Sequence, residues 1–375
     1  MTTRRDFLKL PVVAAAAAAA IPTAHAVTPY SMPGLYPGRV VGIVHSGASV
    51  KLAYQSLPIQ GMIRRGMAEL TGLPNYIAAW RKLFQPDDVV GIKVNGVSQS
   101  AALIPSPACL EIVNGLLLAG VPAANIVVFE RYGEDLSKVI SGGWLPSGIR
   151  TACASPGGYL SDQTGIDGYD PDHYVDLPEY LLPWQKRDVA AHTRSHVSLA
   201  ASRQVTKIIS LAVLKDHQAA GVTLNLKNLA IGCFNNCNRF HDNGLRDDRK
   251  NYLVNAIPAL ISSPVLRSKV VLGIIDGTHC LVNGGPAKFS DPKYGFVVAH
   301  NTMYFATDIV AADRIGWLAL NAERARKGLP AEEVAGPDQY DAFSRRQPQH
   351  ITAAGQLGLG EWRDDRLDFR KVVLA

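Results

Sequence analysis

Short runs rich in β-branched residues alternate along this chain with stretches of helical spacing, and that alternation restricts the fold more than any other feature. The runs at 39–45, 89–94, 126–130, 207–213 and 270–276 read as buried strands. Between them, 59–70, 76–83, 108–118 and 252–261 place apolar residues at helical intervals, and 307–327 closes the core as an amphipathic helix. Parallel neighbours need a crossover of about a dozen residues, which a helix supplies. The expected fold class is therefore α/β, a layered sandwich with a mainly parallel sheet flanked by helices. At 375 residues the chain is long enough for more than one domain, but such sheets often grow as one body, and 27–375 reads as a single α/β domain. Between about 157 and 188 the periodicity lapses into Gly, Asp, Pro and Tyr, which marks an irregular surface insertion and a candidate lid.

Residues 1–26 stand apart from this pattern. Arg4-Arg5 precede an alanine-dominated run at 10–21, and Ala24-His25-Ala26 supplies the small residues a signal peptidase needs around one variable position. The segment resembles a twin-arginine translocation signal. Its apolar run is shorter than the roughly 20 residues that span a bilayer. The expectation is a periplasmic or otherwise exported protein, a client of the twin-arginine export machinery, with no stable membrane span after processing. That route carries folded cargo and often serves proteins that take up a cofactor before export, which favours a bound cofactor of unknown identity. The formal charge of +6 includes three basic residues and one acidic residue of the leader, so the remainder carries +4. Its Lys and Arg are scattered without interleaved aromatics, so no nucleic-acid partner is expected. Five cysteines without a closely spaced run provide neither a disulfide scaffold nor an intrinsic ferredoxin-type cluster motif.

Several strand runs end in polar groups rather than turn residues. Lys93 and Asn95 follow the second, Glu130 and Arg131 the third, Lys215 and His217 the fourth, Asp276 and His279 the fifth. In open α/β sheets ligands bind at the carboxyl ends of the strands, so these residues are expected to converge on one crevice. Within fourteen positions, Lys215, His217, Asn225, Lys227 and Asn228 are interleaved with apolar residues that hold the segment against the core. Amines and amides suit a carboxylate or phosphate, and a buried lysine with a lowered pKa can act as a base. Cys233, Cys237 and His241 are spaced four apart, which would align a zinc or iron donor set on a continuous helix. In an oxidising compartment the same cysteines also suit a disulfide, unpaired structural thiols or a redox pair. Asp308, at the start of the last long helix, reads first as a cap.

In this order Lys93-Val94-Asn95, Lys215-Asp216-His217, Val222-Thr223, Leu226-Lys227-Asn228-Leu229, Arg239 with His241, Asp276-Gly277, Gly284-Gly285-Pro286, Thr307-Asp308 and Ala312-Asp313 resemble the domain of unknown function family 362. The resemblance covers roughly 40–357, and Val94 stands where the family usually has proline. It implies an α/β sandwich. It also implies relatives that carry iron-sulfur clusters on added cysteine-rich modules, which this chain lacks.

The resulting expectation is an exported, cofactor- or metal-dependent protein acting on a small anionic substrate at the carboxyl edge of the sheet. Lys215, His217 and Lys227 are the candidate catalytic residues; Lys93, Asn95, Asn228 and Arg239 bind substrate; His241, Asp276, Cys233 and Cys237 are candidate metal ligands. The alternative is a non-catalytic protein that holds a metal, anion or cofactor with the same groups, and a third reading is a redox-maintenance protein built on Cys233 and Cys237. The export expectation is checked by combining Arg4→Lys with Arg5→Lys, which should block translocation and leave the fold intact; normal processing of that variant would remove it.

Overall fold

A computed structural model of the chain describes residues 28–98, 100–157, 163–241, 251–285, 296–334 and 346–375. The leader at 1–26, Pro286 and part of the 157–188 insertion lie outside the described residues. In chain order the described strands are β1 (Arg39–His45), β2 (Ser49–Val50), β3 (Ala53–Tyr54), β4 (Val90–Lys93), β5 (Ile126–Tyr132), β6 (Arg150–Ser155), β7 (Tyr169–Asp176), β8 (Arg194–Ser198), β9 (Lys207–His217), β10 (Gly221–Val222), β11 (Val270–Leu281), β12 (Val297–Ala306) and β13 (Asp368–Leu374). One large sheet runs in the order β13-β1-β12-β11-β9-β4-β5-β6, with β10 folded back antiparallel on β9. From β11 through β6 every neighbouring pair is parallel, and β12 is the strand that runs against both of its neighbours. The sheet is mainly parallel, as the alternation of strand and helix required.

Helices cover both faces, giving the three layers of a sandwich. On one face Ser56–Thr71, Tyr76–Leu83 and Ser106–Ala119 bury Ile59, Met62, Trp80 and Ile112 against Ile43, Val90, Ile92 and Ile209. On the other, Leu224–Cys233, Leu253–Ile261 and Ile309–Arg326 bury Leu226, Leu229, Ile257 and Val310 against Ile208, Ala212, Leu214 and Ile275. Each such side chain, fully removed from water, contributes about 1.5 to 3 kcal/mol. Alternate residues of β9 feed the two cores, so the strand reads as a continuous apolar run rather than an alternating one.

Local chemistry fixes where the helices begin and end. Asn75 accepts from the amides of Ile77 and Ala78 at 2.8 and 3.1 Å and starts Tyr76–Leu83. Asp308 does the same for Ile309–Arg326, as expected, and its other oxygen accepts from Gly38 and Glu361 amides at 2.9 Å. Helix Leu224–Cys233 has no cap of its own, since the Thr223 side chain makes no capping bond. Asp313, from the neighbouring helix, replaces it by accepting from the amides of Asn225 and Leu226 at 2.9 and 2.7 Å and from the Asn225 side chain at 2.9 Å. This latch fixes the position of the helix that carries Lys227 and Asn228.

Two features depart from the sequence expectation. The stretch 157–188 is not simply irregular: β7 falls within it and pairs antiparallel with β8, because Tyr174 and Val175 supply a short β-prone run that the surrounding Asp and Pro obscure. Strands β9 and β11 also run on to His217 and Leu281, several residues past the expected ends, since backbone pairing with β10 and β12 continues after the apolar pattern stops.

The latch makes the first structural prediction. Asp313→Ala removes the partner of two helix-start amides and should cost about 1 to 3 kcal/mol in denaturant unfolding. Asp308→Ala should lower stability comparably without disturbing the Lys227 helix, which amide hydrogen exchange can resolve.

Candidate functional site

After β4 the chain turns to β5 and β6, whereas after β9 it proceeds to β11 on the opposite side. In an open α/β sheet the carboxyl ends of the strands at such a switch in direction are the usual ligand position. Lys93 ends β4, Asn95 follows it, and Lys215 stands near the end of β9.

Lys93 is buried, and its ammonium donates to Glu130 Oε1 at 2.5 Å, the Val94 carbonyl at 2.7 Å and Asn228 Oδ1 at 3.0 Å. Glu130 also accepts from the Gly96 and Arg131 amides at 3.1 and 2.7 Å. Asn228 returns its amide to the Lys93 carbonyl and to Ser210 Oγ, so the helix and two strands share one hydrogen-bond net. Gly232 permits the close approach: a Cβ there would stand 2.5 Å from Lys93 Cε. Val94, where a proline is usual in the resembled family, donates its amide to the Phe129 carbonyl at 3.1 Å, a bond proline cannot make.

Lys215, fully buried, donates to Asn95 Oδ1 at 2.7 Å and the Val97 carbonyl at 2.5 Å. Burial lowers its pKa to about 8 against the pull of Glu130, Asp135 and Asp216. Lys227 differs from both. It is 7% exposed, and its ammonium forms no hydrogen bond or ion pair among the described residues. Burial, followed by the charges of Lys215, Arg131 and Lys93, lowers it to about 7. Its place in the first turn of Leu224–Cys233 adds the positive end of a helix to the same side of the balance.

Three histidines share the field of Lys227. His217 stands 5.7 Å from His241, ring centre to ring centre. Its Nδ1 accepts from the amides of Ala219 and Ala220 at 3.1 and 3.2 Å, which leaves Nε2 as a donor. Burial first, and Lys227 and His241 next, hold its pKa well below the ordinary value. His241 donates Nδ1–H to the Cys237 carbonyl at 3.0 Å, leaving Nε2 as an acceptor. His350, fully buried, is lowered to about 4 by burial, with Lys227 opposing its protonation as well.

The structure thus brings Lys93, Asn95, Lys215, Lys227 and Asn228 together, with His217 and His241 beside them. The remaining candidates have other surroundings. Arg239, expected to bind substrate, gives its donors to the carbonyls of Asn236, Leu177, Tyr180 and Thr193 and to Ser195 Oγ, fastening the insertion to the core. His217 lacks a free Nδ1, so at neutral pH it is a hydrogen-bond donor and not a base. Asp276 belongs elsewhere, interacting with Thr278, His279 and Tyr54. The helix ends at Cys233 and Asn236 turns with φ 48°, so Cys233, Cys237 and His241 do not share a helical face. All five cysteines are free, and burial raises Cys233 to about 12 and Cys237 as well, which keeps both thiols protonated. No three metal-ligating side chains converge among the described residues, so these donors fit neither the expected metal site nor an iron-sulfur cluster.

Other contributors had weak signals in the sequence. Glu130 and Arg131 were visible as strand-end polar residues, but their partners were not. Ser210 sits inside an apolar run, and His350 lies far along the chain in a stretch without pattern.

Comparison with known proteins adds a family. The profile of the family described as a domain of unknown function, DUF362, matches residues 90–317, and the chain belongs to that family. No curated protein matches it. Among solved structures, it is similar to a Thermotoga maritima protein from a structural genomics consortium at 11% identity and a TM-score of 0.34, with 58% of this chain and 50% of that one covered. The chain thus spans about half the length of that protein.

Two substitutions should move stability in opposite directions. Lys93→Met leaves Glu130 buried without its cation and should cost about 3 to 5 kcal/mol. Lys227→Met removes an uncompensated buried ammonium and should add on the order of 2 kcal/mol at pH 6. Because Lys215 and Lys227 titrate below the 10.5 of an unfolded lysine, the folded chain holds fewer protons than the unfolded one between about pH 7 and 10.5. Their contribution to stability therefore rises with pH across that window and is lost as pH falls through it. Chemical denaturation of the wild type and Lys227→Met at pH 6 and 9 checks both signs: the gap between the two should shrink at pH 9.

Proposed function

We propose that this member of a family without assigned chemistry binds a small anionic molecule, a carboxylate or phosphate, at the carboxyl edge of β4 and β9, and that Lys227 exchanges a proton with it. The observation that carries this reading is the Lys227 ammonium, nearly buried and without a hydrogen-bond partner among the described residues. Lys93 and Lys215 are fixed by bonds to Glu130, Asn228, Asn95 and Val97, so they supply charge from set positions at little cost in reorganisation. Lys227 is the member without such bonds among the described residues. At neutral pH it stands near its titration point, where it can accept or release a proton with a small free-energy change. His217 Nε2–H is a further donor for the ligand. The site is proposed to work in an exported, periplasmic protein delivered by the twin-arginine route, the compartment that Arg4-Arg5 and the alanine run support.

Binding an anion favours protonated Lys227, so binding should take up a proton once pH exceeds about 7. Sulfate is a suitable probe because its own charge is constant over this range. Calorimetry in buffers of different ionisation heat should show close to one proton taken up per sulfate at pH 8 and little at pH 6, with affinity falling up to about tenfold per pH unit above 7. Lys227→Met should abolish the proton uptake and weaken binding. Binding without uptake in the wild type would leave an anion-holding site in which Lys227 does not act as the acid or base.

A further inference from the structure

A second polar group stands on the same edge of the sheet, built from segments that the lysine site does not use. β11 carries a bulge where its pairing with β12 slips between Gly277 and His279, and its register with β9 breaks after Asp276. Bulges of this kind re-aim side chains and recur beside active sites. Here the bulge buries Asp276, Thr278 and His279 together: Asp276 Oδ1 accepts from the Thr278 amide at 2.9 Å, and its carboxyl interacts with the Thr278 and Tyr54 side chains.

Facing them is a hairpin of unusual construction. β2 and β3 pair Ser49 with Tyr54 across a two-residue turn, Lys51-Leu52, in which both residues adopt positive φ, 50° and 61°. Such turns favour glycine and asparagine, and a branched side chain such as leucine there stores strain. His45 accepts from the Gly47 amide at 3.1 Å and shapes the preceding bend. The result places Ser49 Oγ 2.8 Å from His279 Nε2, while the Tyr54 ring stands edge-on to the imidazole at 4.5 Å between centres. His279 is buried, and Ser49, which bonds it, is partly exposed.

We propose that Ser49 is a nucleophile activated by His279, forming a second reactive site that takes acyl groups from small esters. In the step, the Ser49 hydroxyl proton passes to His279 Nε2 as Oγ bonds to the carbonyl carbon. The ester C–O bond then breaks, and the departing alkoxide takes that proton and leaves as the alcohol. Water attacks the acyl-serine by the same route in reverse, releasing the carboxylic acid and restoring the hydroxyl. Asp276 is a positioning residue: it acts electrostatically on His279 and on Tyr54 but does not reach ion-pair distance of the imidazole. The groups facing His279 are Asp276 on its own strand, Ser49 and Tyr54 on the hairpin and the backbone at Ala102. Burial lowers the histidine pKa, and Asp276 opposes that shift without reversing it, so the imidazole is neutral at pH 7 and can accept the serine proton.

The test uses diisopropyl fluorophosphate on the purified folded chain, with the adduct located by peptide mass mapping. Ser49 should be the labelled residue. His279→Gln should slow labelling by about 100-fold or more at an unchanged melting temperature, and Ser49→Ala should abolish it. The wild-type pH profile needs no variant: labelling assisted by neutral His279 is level from about pH 7 to 9, whereas an unassisted serine climbs about tenfold per pH unit as hydroxide does. Absence of a Ser49 adduct, equal rates in His279→Gln, or the climbing profile would each overturn the proposal. Lys227→Met should leave labelling unchanged, so this site and the anion site fail or succeed separately.

Discussion

Lys93, Lys215, Lys227 and Arg131 lie within one another's fields around a single carboxylate, Glu130, that touches any of them among the described residues. Removing one ammonium from water costs several kcal/mol, and a like charge nearby adds to that. The sheet tolerates the arrangement by distributing it. Lys93 receives the carboxylate, Lys215 receives a side-chain amide and a carbonyl, and Arg131 bonds Tyr169, Gln163 and the Ile231 carbonyl. Lys227 receives the remaining imbalance. The segment that leaves β4 bends toward this cluster, with the Val94 and Val97 carbonyls accepting from Lys93 and Lys215 and the Gly96 amide donating to Glu130.

The cluster holds only if helix Leu224–Cys233 stays where it is, since Lys227, Asn228 and Gly232 are all on it. Asp313 supplies that constraint with three hydrogen bonds, and burial raises its carboxyl to about 7 in spite of them. Protonation would weaken its acceptance from helix amides just where Lys227 titrates. Burial is the largest cause of both shifts, so latch and lysine are perturbed by the same dry setting.

The strand–helix alternation made the sheet, its mainly parallel sense and the ligand edge legible, because burial on both faces leaves uninterrupted β-branched runs in β4, β5, β9 and β11. β12 escaped notice: its inner half is apolar, but His300, Asn301 and Thr302 break the run. Lys93, Asn95, Lys215, Lys227 and Asn228 could be found as polar residues at strand ends or in a lysine-rich segment. Arg239 could not be told from them, since a guanidinium saturated by carbonyls and one that awaits a ligand look the same in one dimension. The spacing of Cys233, Cys237 and His241 misled for a related reason: periodicity assumes a continuous helix, and the asparagines after Cys233 end it. Ser49 and His279 are 230 positions apart, and only the bulge in β11 and the strained hairpin bring them to 2.8 Å.

Buried charge elsewhere in the molecule shows what a purely structural solution looks like. Arg324 and Arg346 meet Glu332, Arg346 also meets Asp216, and the Gly285 amide, the Val282 carbonyl and the Asn283 side chain bond to the same group, so among the described residues two cations face two acidic side chains. Among the described residues Arg239 forms no ion pair and gives its guanidinium to carbonyl oxygens and Ser195 Oγ. In both, each desolvated charge has its partners inside the protein, as a group retained for stability must. Lys227 follows neither rule. Among the described residues its ammonium has no carboxylate or carbonyl to offset its burial, so apolar packing would fill the position at lower free energy.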